Sequence, residues 1–224
     1  MRDDVSVVAA VHNNAATLPD LCRRIRESLP GCEIILVDDA STDPSHAVMQ
    51  RLDVTTVALA MRQGQSEAIR QGLGRASGRL CCVLDADLQD PPEGLPLMLA
   101  RLRRGDTDVV FSTRDGRRRF TSRLFRRAMR LLYPTLTPRA CLCFAAEAGV
   151  AAEIVHRARP GDYLVAIIGV LGLRTAQVQV VREPRPDSGS AYAGLRRTRH
   201  GITVFISAIR LRWLRPAPRP EWIS

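Results

Sequence analysis

Short apolar runs alternate with amphipathic stretches through the first half of the chain, and this alternation limits the fold more than any other feature. Five segments have the length and character of buried strands, at residues 5–11, 33–37, 54–59, 79–84 and 108–112. Four helical patterns separate them, at residues 17–29, 43–51, 66–76 and 92–104. Continuous apolar runs are typical of parallel strands that are buried on both faces. The βαβαβαβαβ order therefore predicts an α/β domain with a mostly parallel central sheet flanked by helices.

The second half of the chain predicts an α+β extension of the same domain. Helical patterns lie at residues 117–132, 147–157, 162–173 and 201–214, a strand pattern lies at 174–181, and a loop rich in Pro, Ser and Gly lies at 184–194. In residues 117–132, arginines alternate with apolar residues at helical spacing. We expect a single domain over residues 1–215, divided into halves at 1–113 and 114–215, with a tail at 216–224.

Charge is distributed unevenly between these halves. All 33 basic residues are arginines; residues 1–112 contain 12 of them against 16 acidic residues, whereas residues 113–224 contain 21 against 7. An arginine-rich half is compatible with nucleic acid, an anionic membrane surface or an anionic substrate. The chain has only three tyrosines and no recognised nucleic-acid-binding motif, so we expect no specific nucleic-acid partner.

Membrane-spanning and thiolate-metal proteins are disfavoured. The longest uninterrupted apolar run, Tyr163–Leu173, has 11 residues, whereas a spanning helix needs about 20. No signal-peptide pattern precedes the first strand. The six cysteines form no CxxC pair and have no zinc-ligand spacing, and Cys81 and Cys82 are expected to be small core residues. These features predict a reduced, cytoplasmic chain.

Four carboxylates follow the ends of two predicted strands. Asp38 and Asp39 follow the second strand, and Asp85 and Asp87 follow the fourth. The carboxyl ends of parallel strands share one edge of the sheet, where ligands bind in open α/β folds, so we expect the four to converge on one crevice. Such a cluster is repulsive on its own, which a bound divalent cation would relieve. Mg²⁺ or Mn²⁺ prefers these hard oxygen ligands.

Each aspartate has an alternative interpretation as a helix cap or a turn residue. We favour that interpretation for Asp43, as a helix cap, and for Asp90, in the turn before two prolines. For Asp85 and Asp87 we favour a functional role, because they come directly after a buried strand.

Three motifs carry a family resemblance: Val37–Asp43 (VDDASTD), Gly64–Ser66 (GQS) and Val83–Glu93 (VLDADLQDPPE). Together they resemble the family 2 glycosyltransferases, above all their polyprenyl-phosphate branch, which includes the dolichol-phosphate-mannose-synthase-like enzymes. The resemblance extends over roughly residues 5–210 and implies a GT-A (Rossmann-like) fold. It implies a nucleotide-sugar half at 1–113 and an acceptor-side, membrane-facing half at 114–215.

The implied activity is the inverting, metal-dependent transfer of a sugar from a UDP- or GDP-sugar to a polyprenyl-phosphate-type lipid. The implied cofactor is Mg²⁺ or Mn²⁺, held by Asp85, Asp87 and Gln89 around a DXD motif. The implied catalytic residues are Asp85, Asp87 and Arg114. The implied nucleotide-sugar contacts are Ala10, His12, Asn14, Asp38, Asp39, Gln65, Asp85 and Ala86. The implied contacts to the acceptor phosphate are Arg114, Arg127, Arg185 and Ser190.

Several positions depart from the family pattern. Ala10–Asn14 (AVHNN) replaces the usual Pro-Val-Tyr-Asn-Glu, Cys141–Ala145 (CLCFA) replaces the usual Asp-Phe-Arg-Leu, and Ala191 replaces a lysine. Charges that would contact substrate are lost, and each such loss costs a few kcal/mol. Two hypotheses follow: an active glycosyltransferase, or a degenerate relative that binds a nucleotide-sugar, a membrane or a partner without transfer.

A lipid acceptor would also explain the basic helical patterns at 117–132 and 201–214. Arginines contribute on the order of 1 kcal/mol each at anionic headgroups, and both segments have an interfacial character. We therefore expect peripheral association with the cytoplasmic face of a membrane. The alternative is that the first helix packs its apolar side on the sheet and solvates its arginines. A membrane-protein partner or a homo-oligomer stays open.

Overall fold

The structure, a computed structural model, describes residues 4–114, 133, 136, 137 and 140–180. Its strands are β1 (Val5–Val11), β2 (Glu33–Asp38), β3 (Thr55–Ala58), β4 (Leu80–Asp85), β5 (Val109–Arg114), β6 (Phe144–Glu147) and β7 (Thr175–Val180). Its α-helices are α1 (Leu18–Ser28), α2 (Ser45–Met49), α3 (Gln65–Leu73), α4 (Leu95–Leu102), α5 (Ala148–Arg157) and α6 (Leu164–Val170), and a 3₁₀ turn at Pro92–Gly94 precedes α4. The predictions for residues 117–132, 184–194 and 201–224 lie outside the described residues, as do Arg127, Arg185 and Ser190.

These strands form one mixed sheet in the order β3-β2-β1-β4-β6-β5-β7. β1, β2, β3 and β4 pair in parallel, β5 pairs in parallel with β7, and β6 runs antiparallel between β4 and β5. The predicted α/β class with a mostly parallel, helix-flanked sheet is confirmed. The described part of the second half completes this same sheet through β6 and β7.

Strand β6 is absent from the sequence prediction. Its four residues, Phe-Ala-Ala-Glu, include no β-branched residue and run directly into α5, so local propensity favours a helix there. The segment is extended because it pairs on both sides, with Cys82 opposite Ala145 on β4 and Phe111 opposite Phe144 on β5. Pairing with distant strands decides its conformation.

Two hydrophobic layers cover the two faces of the sheet. Alternate strand residues supply them: Val8, Ile35, Val83 and Phe111 pack in the layer that contains residues of α3, α5 and α6. Val7, Leu36, Cys82 and Val110 pack in the other layer, with residues of α1 and α4. This period of two is the expected side-chain alternation of a strand. Cys81 and Cys82 are both buried, as predicted.

The helix starts differ in detail from the sequence prediction. Thr17 precedes α1 as expected, but its side chain does not cap the helix. Its Oγ1 instead donates to the carbonyl oxygens of Asn14 (3.0 Å) and Ala86 (2.7 Å). Helix α2 begins at Ser45, and the carboxylate of Asp43 accepts hydrogen bonds from the backbone N–H groups of Ser45 (2.9 Å) and Ala15 (3.1 Å). Asp43 thus has a structural role at the start of α2, but the prediction that it caps the helix is wrong, because Pro44 is the N-cap residue and the N-cap makes no side-chain hydrogen bond.

Within the described ranges, no helix combines the length and the apolar character needed to cross a bilayer. The most apolar helix, α6, has seven residues, and six of them are buried in the protein core.

Candidate active site

The carboxyl ends of β1, β2 and β4 meet at a crevice with a volume of about 300 Å³. The strand register brings them together, because Val11 of β1 lies opposite Asp38 of β2 and Ala10 of β1 lies opposite Asp85 of β4. The crevice is lined by Ala10, Val11, His12, Asn14, Asp39, Arg62, Gln65, Asp85, Ala86 and Asp87. It lies where ligands bind in open α/β sheets.

Asp39 anchors the loop that leads into α3. Its buried carboxylate accepts hydrogen bonds from the backbone N–H groups of Gln63 (2.6 Å) and Gly64 (2.9 Å), and its own N–H donates to the carbonyl oxygen of Val11 (2.8 Å). Gly64 has a φ of +94°, a conformation that favours glycine because a side chain would be strained there. The carboxylate therefore connects the end of β2 to the start of α3.

Gln65, the first residue of α3, reaches the end of β4. Its Nε2 donates to Oδ1 of Asp85 over 2.5 Å. The amide group is a neutral donor, so this bond holds the carboxylate without cancelling its charge. The loop before α3 is thus fixed to β2 through Asp39 and to β4 through Asp85.

Asp87 lies in a tight turn after β4. Its Oδ1 accepts from the backbone N–H of Gln89 over 3.1 Å, and the intervening Leu88 has a φ of +58°. Among the residues that the structure describes, nothing hydrogen-bonds to the second carboxylate oxygen of Asp87.

The altered segment after β1 is tied to the loop before α2. Nδ1 of His12 donates to the carbonyl oxygen of Asp39 over 2.9 Å, which places a proton on Nδ1 because a carbonyl only accepts. The backbone N–H of His12 donates to Oδ1 of Asn14 (3.1 Å), and the backbone N–H of Asn14 donates to Oγ of Ser45 (2.8 Å). Hydrogen bonds therefore order this wall of the crevice although its sequence departs from the family pattern.

An ion pair supports the far end of the DADLQDPPE motif. Nε and Nη2 of Arg24 on α1 donate to the two carboxylate oxygens of Glu93 over 2.8 and 2.7 Å. Arg24 is buried, and its hydrogen bonds lower the pKa of Glu93 below the ordinary value. This bidentate contact fixes the turn at Pro92–Gly94 against α1.

Most of the site residues predicted from the first half line one crevice. They are Ala10, His12, Asn14, Asp39, Gln65, Asp85, Ala86 and Asp87.

We expected four carboxylates to converge on the crevice, and this prediction is wrong for Asp38, which does not line it. Its carboxylate accepts from the backbone N–H of Ser41 (2.9 Å) and lies 3.3 Å from Nδ1 of His46, since adjacent residues at a strand end point to opposite sides. Gln89 is also absent from the lining and contributes its backbone N–H to Asp87.

The structure describes only the backbone of Arg114, the last residue of β5. The sequence reasoning missed two lining residues: Val11, the last residue of β1, and Arg62, an exposed arginine in the loop before α3. The position of Val11 at a strand end was the signal for the first. The place of Arg62 two residues before the Gly64–Ser66 motif was the signal that could have identified it.

The residues at the end of β4 fit a divalent cation. Asp85 and Asp87 offer carboxylate oxygens to the same crevice, and these are the ligands that Mg²⁺ and Mn²⁺ prefer. In the described part of the chain, no group of three or more His, Cys, Asp or Glu side chains could hold a metal by itself. Mg²⁺ is commonly bound by one or two carboxylates together with phosphate oxygens and water, so a pair of aspartates suits a cation that arrives with a phosphate ligand.

The segment that replaces the family's Asp-Phe-Arg-Leu motif is mostly core. Leu142, Cys143, Phe144 and Ala145 are buried. Sγ of Cys141 donates to the carbonyl oxygen of Ser112 over 3.2 Å, and burial raises the pKa of Cys143 well above the ordinary thiol value. The segment contains no acidic or basic residue in place of the family's acid and arginine.

A mixed sheet with seven strands in the described residues, and an acidic crevice at the ends of β1, β2 and β4, places the protein in the GT-A class of glycosyltransferase folds. Structures of glucosyl-3-phosphoglycerate synthase from Mycobacterium tuberculosis share this fold. One, in complex with Mn²⁺, UDP and glucosyl-3-phosphoglycerate, matches with a TM-score of 0.72 and 21% identity, over 94% of this chain and 80% of that one. Another, with Mn²⁺, UDP-glucose and glycerol 3-phosphate, matches with a TM-score of 0.73 and 22% identity. The model of glycosyl transferase family 2 matches residues 6–145, and the chain belongs to this family.

Similar sequences include two proteins named undecaprenyl-phosphate 4-deoxy-4-formamido-L-arabinose transferase. The one from Pseudomonas paraeruginosa is 32% identical over 210 residues, covering 87% of this chain and 62% of the relative. The one from Sodalis glossinidius is 30% identical over 210 residues, covering 85% of this chain and 63% of the relative. The chain thus spans about three fifths of the length of the curated relatives it matches.

Proposed function

We propose that the protein transfers a sugar from a UDP- or GDP-sugar to a polyprenyl-phosphate-type lipid, with the help of Mg²⁺ or Mn²⁺. The observation that carries this proposal is the crevice, where Asp39, Asp85 and Asp87 line the carboxyl ends of adjacent strands in a family 2 chain. Its lining combines oxygen ligands for a cation with hydrogen-bonding groups for a nucleotide.

The donor chemistry follows from the charge that develops in the reaction. The leaving group is a nucleoside diphosphate, and its negative charge grows as the bond to the sugar breaks. Asp85 and Asp87 would hold the cation, which when bound neutralises this charge. The fixed loop between Asp39 and Asp85 would orient the nucleotide across the crevice, with Ala10, His12 and Asn14 on the nucleoside side.

The acceptor class is supported by the names of the relatives, which act on undecaprenyl phosphate. An oxygen of such a phosphate is already ionised, so it can form the new bond to the anomeric carbon without a side-chain base. The bond from that carbon to the donor phosphate oxygen breaks on the opposite side, which inverts the configuration. We propose Arg114, Arg127, Arg185 and Ser190 as contacts to the acceptor phosphate, and attachment of the basic half to the cytoplasmic face of a membrane.

The test is a transfer assay with undecaprenyl phosphate in detergent or vesicles, Mn²⁺ or Mg²⁺, and UDP- and GDP-sugars supplied separately. We expect lipid-linked sugar with one class of donor, and a loss of rate of about 100-fold or more in Asp87→Ala, since a lost charged contact of a few kcal/mol has this effect. Asp53→Ala is the matched control because Asp53 is exposed and outside the crevice. Equal rates for Asp87→Ala and Asp53→Ala would contradict the proposal.

A second candidate is a relative that binds nucleotide-sugar without transferring it. The uncharged segment at 141–145, where the family usually carries an acid and an arginine, favours this candidate. It predicts that the wild-type chain binds UDP or GDP with Mn²⁺ while the wild type and Asp87→Ala are equally inert in transfer and in donor hydrolysis. Binding without turnover would therefore select this candidate over the first.

A further inference from the structure

The crevice contains three carboxylates and one guanidinium. Asp39, Asp85 and Asp87 supply the negative charges, and Arg62 supplies the positive charge. An arginine in such surroundings would ordinarily form an ion pair with the nearest acid. The described residues of this crevice form no such ion pair, so the guanidinium of Arg62 is available to bind a ligand.

Each of these carboxylates accepts a hydrogen bond from at least one neutral group. Asp39 accepts from the backbone N–H groups of Gln63 and Gly64, Asp85 accepts from the side-chain amide of Gln65, and Asp87 accepts from a backbone N–H. Within the described part of the chain, the guanidinium of Arg62 forms no hydrogen bond or ion pair. It is exposed at the edge of the crevice.

The backbone next to Arg62 is held in place. The next two residues, Gln63 and Gly64, are hydrogen-bonded to Asp39 at the end of β2, and Gln65 is hydrogen-bonded to Asp85 at the end of β4. Arg62 therefore projects from a segment that spans the distance between the nucleoside side of the crevice and the proposed cation site. A long side chain from this position can reach a group bound between the two ends.

We infer that Arg62 binds the diphosphate of the donor nucleotide and is the residue by which the crevice prefers nucleoside diphosphates to monophosphates. This inference rests on the proposed function and deepens it. The three carboxylates carry a formal charge of −3, which a divalent cation reduces to −1, so the charge of a diphosphate would be uncompensated without a further cationic group. An uncommitted guanidinium supplies part of that compensation, and its planar donors suit two phosphate oxygens at once.

The test compares the binding of UDP, UMP and uridine, and of GDP, GMP and guanosine, by isothermal titration calorimetry in the presence of Mn²⁺. The proteins are the wild-type chain, Arg62→Gln, Arg62→Lys and the control Arg51→Gln, whose arginine is exposed and outside the crevice. For Arg62→Gln we expect diphosphate affinity to fall about tenfold to 100-fold, which is the range for a lost charged hydrogen bond. We expect monophosphate and nucleoside affinity to change less than threefold.

The ratio of diphosphate to monophosphate affinity is the decisive quantity. We expect Arg62→Lys to restore part of this ratio, because it keeps the charge and loses the planar donors, and Arg51→Gln to leave it unchanged. An equal loss for diphosphate, monophosphate and nucleoside in Arg62→Gln would assign the residue to the nucleoside and overturn the inference, as would unchanged binding. A wild-type chain that binds neither diphosphate would instead overturn the proposed function and the inference with it.

Discussion

Replacing Asp39 with asparagine should destabilise the protein before any ligand is added. The buried carboxylate accepts from two backbone N–H groups, those of Gln63 and Gly64, over 2.6 and 2.9 Å. An asparagine keeps one acceptor oxygen and presents an amide donor in place of the other. With the amide oxygen in the Oδ1 position, the N–H of Gly64 would face the amide donor and keep only its longer contact, 3.2 Å, to that oxygen.

The size of the effect follows from the burial of the site. Asp39 is 3% exposed, so water cannot readily replace the lost acceptor. A hydrogen bond to a charged group contributes about 1.5–3 kcal/mol, and a buried donor without a partner costs about 1–3 kcal/mol. We expect Asp39→Asn to lower the free energy of unfolding by about 2 kcal/mol, which corresponds to a fall in Tm of about 4–8 °C for a chain of this size.

The assay is thermal and urea unfolding of the ligand-free protein, followed by titration with UDP or GDP and Mn²⁺. Asp53→Asn is the matched control, since Asp53 is exposed and its carboxylate forms no hydrogen bond or ion pair with the described residues. We expect its Tm to stay within about 1 °C of the wild type, because surface substitutions away from special features change stability little.

The two possible roles of Asp39 give different results. A carboxylate that anchors the loop before α3 affects stability without ligand, whereas one that only contacts the nucleoside affects binding alone. If Asp39→Asn were as stable as Asp53→Asn and yet bound the nucleotide more weakly, the loop-anchoring argument would be refuted.

Two further predictions concern the packing around the site. Glu93→Gln should lower the free energy of unfolding by about 1 kcal/mol at pH 7, because the pair with Arg24 is charged but Glu93 is half exposed. The pKa of Glu93 is lowered in the folded protein, so its contribution is present above the unfolded-state pKa of about 4.3 and is lost as the pH falls through the folded-state pKa. Urea unfolding should therefore show the difference from wild type shrinking as the pH falls below the unfolded-state pKa, and a pH-independent difference would contradict this. Gly94→Ala would place a Cβ 2.7 Å from both methyl groups of Val180, so we expect a loss of about 2 kcal/mol. In a double-mutant cycle Val180→Ala should recover part of that loss, and strict additivity would count against the predicted clash.

The positions of the sheet's first strands along the chain could be predicted from local sequence. Each of β1, β2 and β4 is a continuous apolar run, and the acidic residues that matter come directly after such runs. The carboxyl ends of parallel strands share one edge, so sequence position alone was enough to place Asp39, Asp85 and Asp87 at a common crevice.

Other features of the site depend on contacts between distant segments. The direction in which the Asp38 side chain points is set by the hydrogen bond that its carboxylate accepts from the backbone N–H of Ser41, and by the residue at which β2 ends. The place of Arg62 follows from hydrogen bonds that the next residues make to Asp39. Neither contact has a signature in the local pattern of apolar and polar residues.

The sequence by itself determined the α/β class, the strand ends that carry the acids and the uneven distribution of arginine, because these follow from short-range periodicity and composition. Only the tertiary structure decided that β6 is inserted antiparallel between β4 and β5, that Asp38 lies outside the crevice, and that Arg62 lines the crevice without a partner among the described residues. Pairing and side-chain direction depend on which distant groups satisfy each hydrogen bond, and that is settled when the chain is packed.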